Sequence, residues 1–271
     1  MLAATGIECE LVPMVTSGDT GATPGVSGVK GLFVAEIVRA LQEDEVDLAV
    51  HSAKDLPSED PDGIGVAAVP ERSSPFDVLV TRDGSLPEGS MVGSSSLRRR
   101  GQLARSRPEL KVVEMRGNVD TRLRKLDDEE VDGVMLAEAG LERLGIRPQH
   151  LERLPEEEMA PAPGQGALAI QARADGDVWE AIEGIDNAES HAAFEAERRL
   201  VELVGGGCAL PLGAYASAVE DRLRLRAVVF RPDGSDFLEA TAEGSGPEDV
   251  AGLVADELFG LGAREILNDL R

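Results

Sequence analysis

The chain has 271 residues, a formal net charge of −24, 42% hydrophobic and 3% aromatic residues, which is globular and long enough for two or three domains with separate cores. So acidic a chain, with so few stacking side chains, excludes a nucleic-acid partner. It contains no apolar run long enough to cross a bilayer and opens on Met1-Leu2-Ala3-Ala4 without a basic or apolar leader, so the expectation is a cytoplasmic protein with no membrane partner.

Strand-like runs and helical patterns alternate along the first two thirds, which predicts an α/β fold with mostly parallel sheets. The predicted strands are Glu8–Val12, Asp47–His51, Ile64–Ala68, Val78–Thr81, Val112–Met115, Gly133–Ala137 and Ala167–Gln171. The predicted helices are Leu32–Gln42, Leu97–Arg105, Val119–Leu126 and Glu138–Leu144. After Gly184 the pattern changes: one helix at Ala188–Val204, antiparallel-looking strands at Leu223–Phe230 and Phe237–Ala242, then helices at Pro247–Phe259 and Ala263–Leu270. This tail reads as a small α+β domain.

Between Arg98 and Lys125, eight arginines and two lysines face only Glu109, Glu114 and Asp120. Guanidinium groups so concentrated in an acidic chain suit a pocket for a small polycarboxylate or phosphate, because Arg grips either through paired charge-assisted hydrogen bonds. A solvated helix face is the plainer reading of any charge run. Against it, Ser94-Ser95-Ser96-Leu97 and Arg116-Gly117-Asn118-Val119 each follow a short apolar run and offer a helix N-cap, where backbone N–H groups add to the same positive field.

Elsewhere, the loop Ser17–Lys30 carries Gly18, Gly21, Gly25 and Gly28 and reads equally as disorder or as a lid. Val50-His51-Ser52-Ala53-Lys54-Asp55-Leu56-Pro57 places Lys54 and Asp55 at the carboxyl end of a strand, the ligand edge of open α/β sheets, with His51 read as structural. Pro161-Ala162-Pro163-Gly164-Gln165-Gly166 reads as an interdomain hinge. Gly205-Gly206-Gly207-Cys208 ends a helix and presents Cys208 at its carboxyl terminus, where the dipole raises a thiol pKa, so Cys208 is either a small buried residue or an attachment point. Cys9, Cys208, His51, His150 and His191 form no disulfide framework and no spaced metal site. Four lysines against twenty-three arginines, amid crowded acids, make a halophilic balance that predicts weak folding at low salt.

The strings V-H-S-A-K-D-L-P, G-S-S-S-L-R-R-R, M-R-G-N-V-D-T-R-L, P-G-Q-G-A-L and G-G-G-C-A-L-P-L-G, in this order, resemble the porphobilinogen deaminase (hydroxymethylbilane synthase) family from about Glu10 onward. The resemblance implies a monomeric transferase with two lobes like periplasmic binding proteins and a third, cofactor-bearing domain. The implied divisions are 1–70 with 166–184, 73–160, and 187–271. Such enzymes join four porphobilinogen molecules, releasing ammonia, on a dipyrromethane cofactor.

By the same resemblance, Cys208 holds the cofactor through a thioether and Asp55 is the catalytic carboxylate, moving protons and offsetting charge on an azafulvene-like intermediate. Lys54, Ser94, Ser95, Ser96, Arg98, Arg99, Arg116, Gly117 and Gln165 would contact the cofactor. Arg116, Arg122 and Arg143 would bind substrate. Lys30 and Phe33 match the edge of the active-site loop. The family's opening R-x-S-x-L-A segment is not matched here, which leads to the expectation of a start codon further upstream. Two alternatives stay open: a non-catalytic polycarboxylate binder, or inactive truncated form, and a thiol-dependent enzyme using Cys208 transiently.

Overall fold

The computed structural model describes residues 2, 6–14, 29–174, 176–205 and 210–269, with the backbone alone for 29–33. Among them, eleven strands form three sheets, each packed with its own helices. Helix α1 (Val29–Gln42) lies on the first sheet, built from β1 (Ala49–Ser52) and β2 (Ile64–Ala68). Its apolar residues Val34, Val38 and Leu41 meet Ala49 and Ile64 in one buried cluster.

The second sheet contains β3 (Asp77–Thr81), β4 (Met91–Gly93), β5 (Lys111–Val113), β6 (Gly133–Ala137) and β7 (His150–Arg153), in the order β5-β4-β6-β3-β7. Helices α2 (Leu97–Ser106), α3 (Val119–Asp127) and α4 (Glu138–Leu144) cover it. The central residues of strands β3 and β6 are apolar because both faces are buried. Alternate residues feed opposite cores: Val78, Val80, Val134 and Leu136 on one side, Leu79 and Met135 on the other.

The chain then returns to the first sheet as β8 (Leu168–Arg173), between β1 and β2, and passes through the short α5 (Val178–Ile182) into α6 (Ala188–Leu203). The third sheet is an antiparallel meander of β9 (Leu212–Val219), β10 (Arg222–Phe230) and β11 (Phe237–Gly244), covered by α6, α7 (Pro247–Gly260) and α8 (Ala263–Asn268). Helix α6 is shared: Phe194 enters the first sheet's core, while Ala193, Ala196 and Leu200 enter the third's.

Two expectations are corrected. The sheets are not mostly parallel: β8 runs antiparallel to both β1 and β2, and only β5-β4-β6 is a parallel run. A strand returning from the other sheet enters in the reverse direction, and apolar periodicity carries no direction. Residues 8–12 are not a strand; they pair with no described strand, and Leu11 is 93% exposed. Strands β4, β7 and β9 and helix α5 escaped the sequence reading, β7 because its edge position leaves Glu152 and Arg153 without an alternating apolar face.

Two segments, 69–76 and 154–167, cross between the first and second sheets, and they are bonded side by side. Ser73 N–H donates to Gly166 O at 3.1 Å, Gln165 Nε2 to Pro75 O at 2.7 Å and Arg72 Nε to Gln165 O at 2.8 Å. Gly166 has φ +85°, and a Cβ there would lie 2.5 Å from the Ser73 carbonyl oxygen, so only glycine fits. Glu197 of α6, fully buried, closes this junction. It accepts from Arg72 at 2.7 and 3.1 Å, from Gly164 N–H at 2.6 Å and from Ala216 N–H at 2.7 Å. Four charge-assisted bonds satisfy a carboxylate that would otherwise be costly to bury.

Candidate active site

Strand β1 ends in a single 3₁₀ turn, Ala53–Asp55. Ala53 N–H donates to Ala167 O at 3.1 Å, extending the β1–β8 ladder, and Leu56 N–H donates to Ala53 O at 3.2 Å, closing the turn. Three residues apart in such a turn, Ala53 and Leu56 share one face and are both buried in the first core. The intervening Lys54 and Asp55 are therefore offered to the sheet edge, where they line a cleft of about 480 Å³.

The opposite wall comes from the second sheet. Asn118 caps α3 by accepting from Thr121 N–H at 2.9 Å, after Gly117 turns the chain at φ +125°. Helix α4 begins directly after β6. The cleft thus faces Gly117, Asn118 and Arg122 from α3, Gly140 and Arg143 from α4, and Arg99 from α2. Its lining holds four cations, Lys54, Arg99, Arg122 and Arg143, and one carboxylate, Asp55.

Burial pushes the Arg122 and Arg143 pKa values down, and the neighbouring Arg99 charge adds to the effect at Arg122. Both guanidiniums remain charged, as Arg does in proteins. Their bonds here go to backbone carbonyls: Arg122 Nε to Gly117 O and Arg143 Nη2 to Gly166 O, each at 2.8 Å. An arriving carboxylate would find positive charge that no protein carboxylate neutralises in these bonds.

The other predicted site residues are placed differently. Arg98 and Arg99 are buried on Asp77: Arg98 Nη1 lies 2.7 Å from Oδ2, and Arg99 Nε and Nη2 lie 2.9 and 2.7 Å from Oδ1. Arg98 also donates to Ala160 O at 2.6 Å and Arg99 to Met135 O at 3.0 Å. Burial alone would raise the Asp77 carboxyl pKa, but the two guanidiniums outweigh it and hold it at about 2. Of this pair, Arg99 lines the cleft.

The three serines build the turn before α2. Ser94 Oγ accepts from Ser96 N–H at 3.3 Å, Ser95 Oγ donates to Met115 O, and Ser96 Oγ caps the helix by accepting from Arg99 N–H at 3.4 Å. Arg116 is exposed and bonded to Glu114 at 2.9 Å. Gln165 is buried at the crossing between the sheets. Cys208 and loop residues 17–28 lie outside the described residues, as do the side chains of Lys30 and Phe33, whose backbone starts α1.

Sequence reasoning missed Arg72, Asp77 and Glu197, the residues that fix the frame. The available signal was Asp77 directly before the apolar run Val78-Leu79-Val80 of its strand. Among the described residues no cluster of His, Cys, Asp and Glu could hold a metal, and no helix is long and apolar enough to cross a membrane.

Two sheets joined by a double crossing enclose a cleft lined by four cations and a single carboxylate, a lining that suits a small polyanion. Comparison with known proteins gives the family. Residues 1–181 match the family model "Porphobilinogen deaminase, dipyromethane cofactor binding domain", and residues 192–260 match "Porphobilinogen deaminase, C-terminal domain". The porphobilinogen deaminase of Brevibacillus brevis is 42% identical over 269 residues, covering 96% of this chain and 87% of that protein. The chain belongs to the porphobilinogen deaminase family.

Among solved structures, an arginine-specific periplasmic binding protein of Salmonella typhimurium overlaps with a TM-score of 0.33 at 17% identity, over 55% of this chain and 69% of that one. A putative methionine-binding lipoprotein of Bacillus subtilis overlaps with a TM-score of 0.36 at 15% identity, over 54% and 72%. At that overlap, the likeness says nothing about this chain's ligand.

Proposed function

We propose that this cleft is the catalytic centre of a hydroxymethylbilane synthase, a transferase that condenses four porphobilinogen molecules head to tail and releases ammonia at each step. The observation that carries the reading is the charge of the lining: one carboxylate, Asp55, among Lys54, Arg99, Arg122 and Arg143. Porphobilinogen bears an acetate, a propionate and an aminomethyl group. The cations match the acids through charge-assisted bonds. Asp55 donates a proton to the amine as its carbon–nitrogen bond breaks, and offsets the positive charge left on the pyrrole. It then accepts the proton lost by the ring carbon that forms the new carbon–carbon bond.

The dipyrromethane cofactor of the family fits the same lining, because it too presents carboxylates to be matched by cations. When bound, it supplies the free pyrrole end on which the product grows. In this reading Cys208 anchors it by a permanent thioether, and Lys54, Arg99 and Gly117 hold it directly. Arg98, Ser94 and Ser96 act through the turn and ion pair they build. Ser95 and Arg116 contribute from exposed positions, Arg116 by exchanging Glu114 for a ligand carboxylate, while Arg122 and Arg143 take substrate acids.

Gln165 serves the crossing, and Lys30 with Phe33 the edge of the loop. The divisions 1–70 with 166–184, 73–160 and 187–271, each centred on one sheet, complete the reading, with the enzyme acting as a cytoplasmic monomer. Intact-mass measurement on protein from cells that make porphobilinogen tests it. The expected result is an adduct of two linked pyrroles on the native chain and on Asp55→Asn, absent from Cys208→Ala, with Asp55→Asn losing nearly all turnover. Normal turnover in Asp55→Asn would remove Asp55 from the role.

A further inference from the structure

The turn that carries Asp55 is held from behind by a chain of polar side chains outside the cleft. Arg198 of α6 donates Nε to Pro57 O at 2.9 Å, two residues beyond Asp55, and grips Asp60 with both terminal nitrogens, at 2.7 and 2.8 Å. Gln171 of β8, which is buried, donates Nε2 to the same Asp60 at 2.8 Å.

Behind Gln171 sits His51, also buried, on β1. The register pairs Ala49 with Gln171 and His51 with Ala169, so His51 and Gln171 are diagonal neighbours on one sheet face. His51 Nε2 and Gln171 Oε1 are both buried without a hydrogen-bond partner of their own, and an Nε2–H facing this amide oxygen is donor to its acceptor. Burial lowers the His51 pKa and favours the neutral form, against smaller opposing effects from the Asp55 charge and the Gln171 amide.

We propose that Arg198 and Asp60, backed by Gln171 and His51, are positioning residues that register the Asp55 turn against α6. Three contacts make α6 the reference. Phe194 packs with Ala53 and Leu56 beneath the turn, Arg198 holds Pro57 and Asp60, and Glu197 holds the crossing at Arg72 and Gly164. The same helix ends at Leu203, five residues before Cys208 in the sequence. One helix therefore holds the carboxylate's turn and lies just upstream of Cys208 in the sequence. A bidentate Arg–carboxylate clamp is suited to this, because its geometry is directional where a Lys contact is not.

The inference rests on Asp55 being the catalytic carboxylate, so its test keeps the two readings apart. Arg198→Met, Arg198→Lys and Asp60→Asn are prepared in the full chain, with cofactor loading checked by intact mass. Hydrogen–deuterium exchange of peptides spanning 52–60 is followed beside kcat and KM. In Arg198→Met, exchange in 52–60 should rise about tenfold while β3 and β6 stay protected, with kcat down about tenfold and KM within about twofold. Arg198→Lys should recover part of both losses. Asp60→Asn should move both readouts in the same direction, and the double variant Asp60→Asn with Arg198→Met should be no worse than the worse single one.

Unchanged exchange in 52–60, additive losses, or a loss of kcat tracking a uniform rise in exchange across the chain would each overturn the inference. If Arg198→Met does not fold, Asp60→Asn carries the same two readouts. Full activity in Asp55→Asn would sink the catalytic reading, whereas the exchange pattern is independent of that chemistry.

Discussion

Arg98 and Arg99 lie in the same positively charged stretch as Arg122, a short distance upstream, yet they answer to a different force. The first two are buried on Asp77 and bonded to carbonyls of Ala160 and Met135; Arg122, like Arg143, faces the cleft with a backbone carbonyl for a partner. Arg98 builds the wall, Arg99 builds it and also lines the cleft, and Arg122 and Arg143 present charge from it. A cluster of like charges is thus two devices, and the discriminating fact is whether a carboxylate of the chain itself neutralises each cation.

The most severe way to break this contrast is to remove the shared carboxylate. Asp77→Asn leaves two buried guanidiniums without their counter-ion and should cost about 3–5 kcal/mol of stability, read as a lowered midpoint in denaturant. Acid probes the same group without mutation. Its folded-state pKa, about 2, lies below the unfolded value of 3.8, so its stabilisation is complete above about pH 5 and is lost as pH falls through the unfolded and then the folded value. Native protein titrated from pH 5 to pH 2 should lose stability from this group over that window, and Asp77→Asn should lack that component.

Removing cleft-facing charge should do the reverse. Arg143→Leu or Arg122→Leu should leave the unfolding midpoint nearly unchanged while raising KM for porphobilinogen about 10- to 100-fold, the worth of one charge-assisted bond. The smallest stability effect is expected at Arg116, whose side chain is 85% exposed beside Glu114: Arg116→Leu should shift stability by less than about 0.5 kcal/mol. Steady-state kinetics should still separate it from Arg231→Leu, with the former weaker on substrate. Comparable kinetics for the two would confine the charge contrast to Arg122 and Arg143.

The helix starts were legible because capping is local: Ser96 and Asn118 accept from the N–H three residues on, as their spacing predicts. The turn at Asp55 was legible as a strand end followed by Pro57. The partners were not. Fifty-one acidic residues look alike in a string, and nothing near Glu197 reveals that it meets Arg72, 125 positions away. The direction of β8 was hidden for a related reason: an apolar run specifies burial, while its orientation depends on where the chain has been. Residues 8–12 show the converse, since a β-like composition yields a ladder only beside a strand that accepts its hydrogen bonds.

The paired crossing at Gly166 bears on how the cleft can change shape. The two segments are bonded edge to edge, and sliding one past the other would drive Gly166 into the Ser73 and Ser74 carbonyls. The paired crossing therefore resists sliding of one sheet past the other. Because Arg143 donates to the Gly166 carbonyl, that cleft-facing arginine and the paired crossing share one hydrogen bond, so a ligand that draws the arginine away would act on the crossing itself.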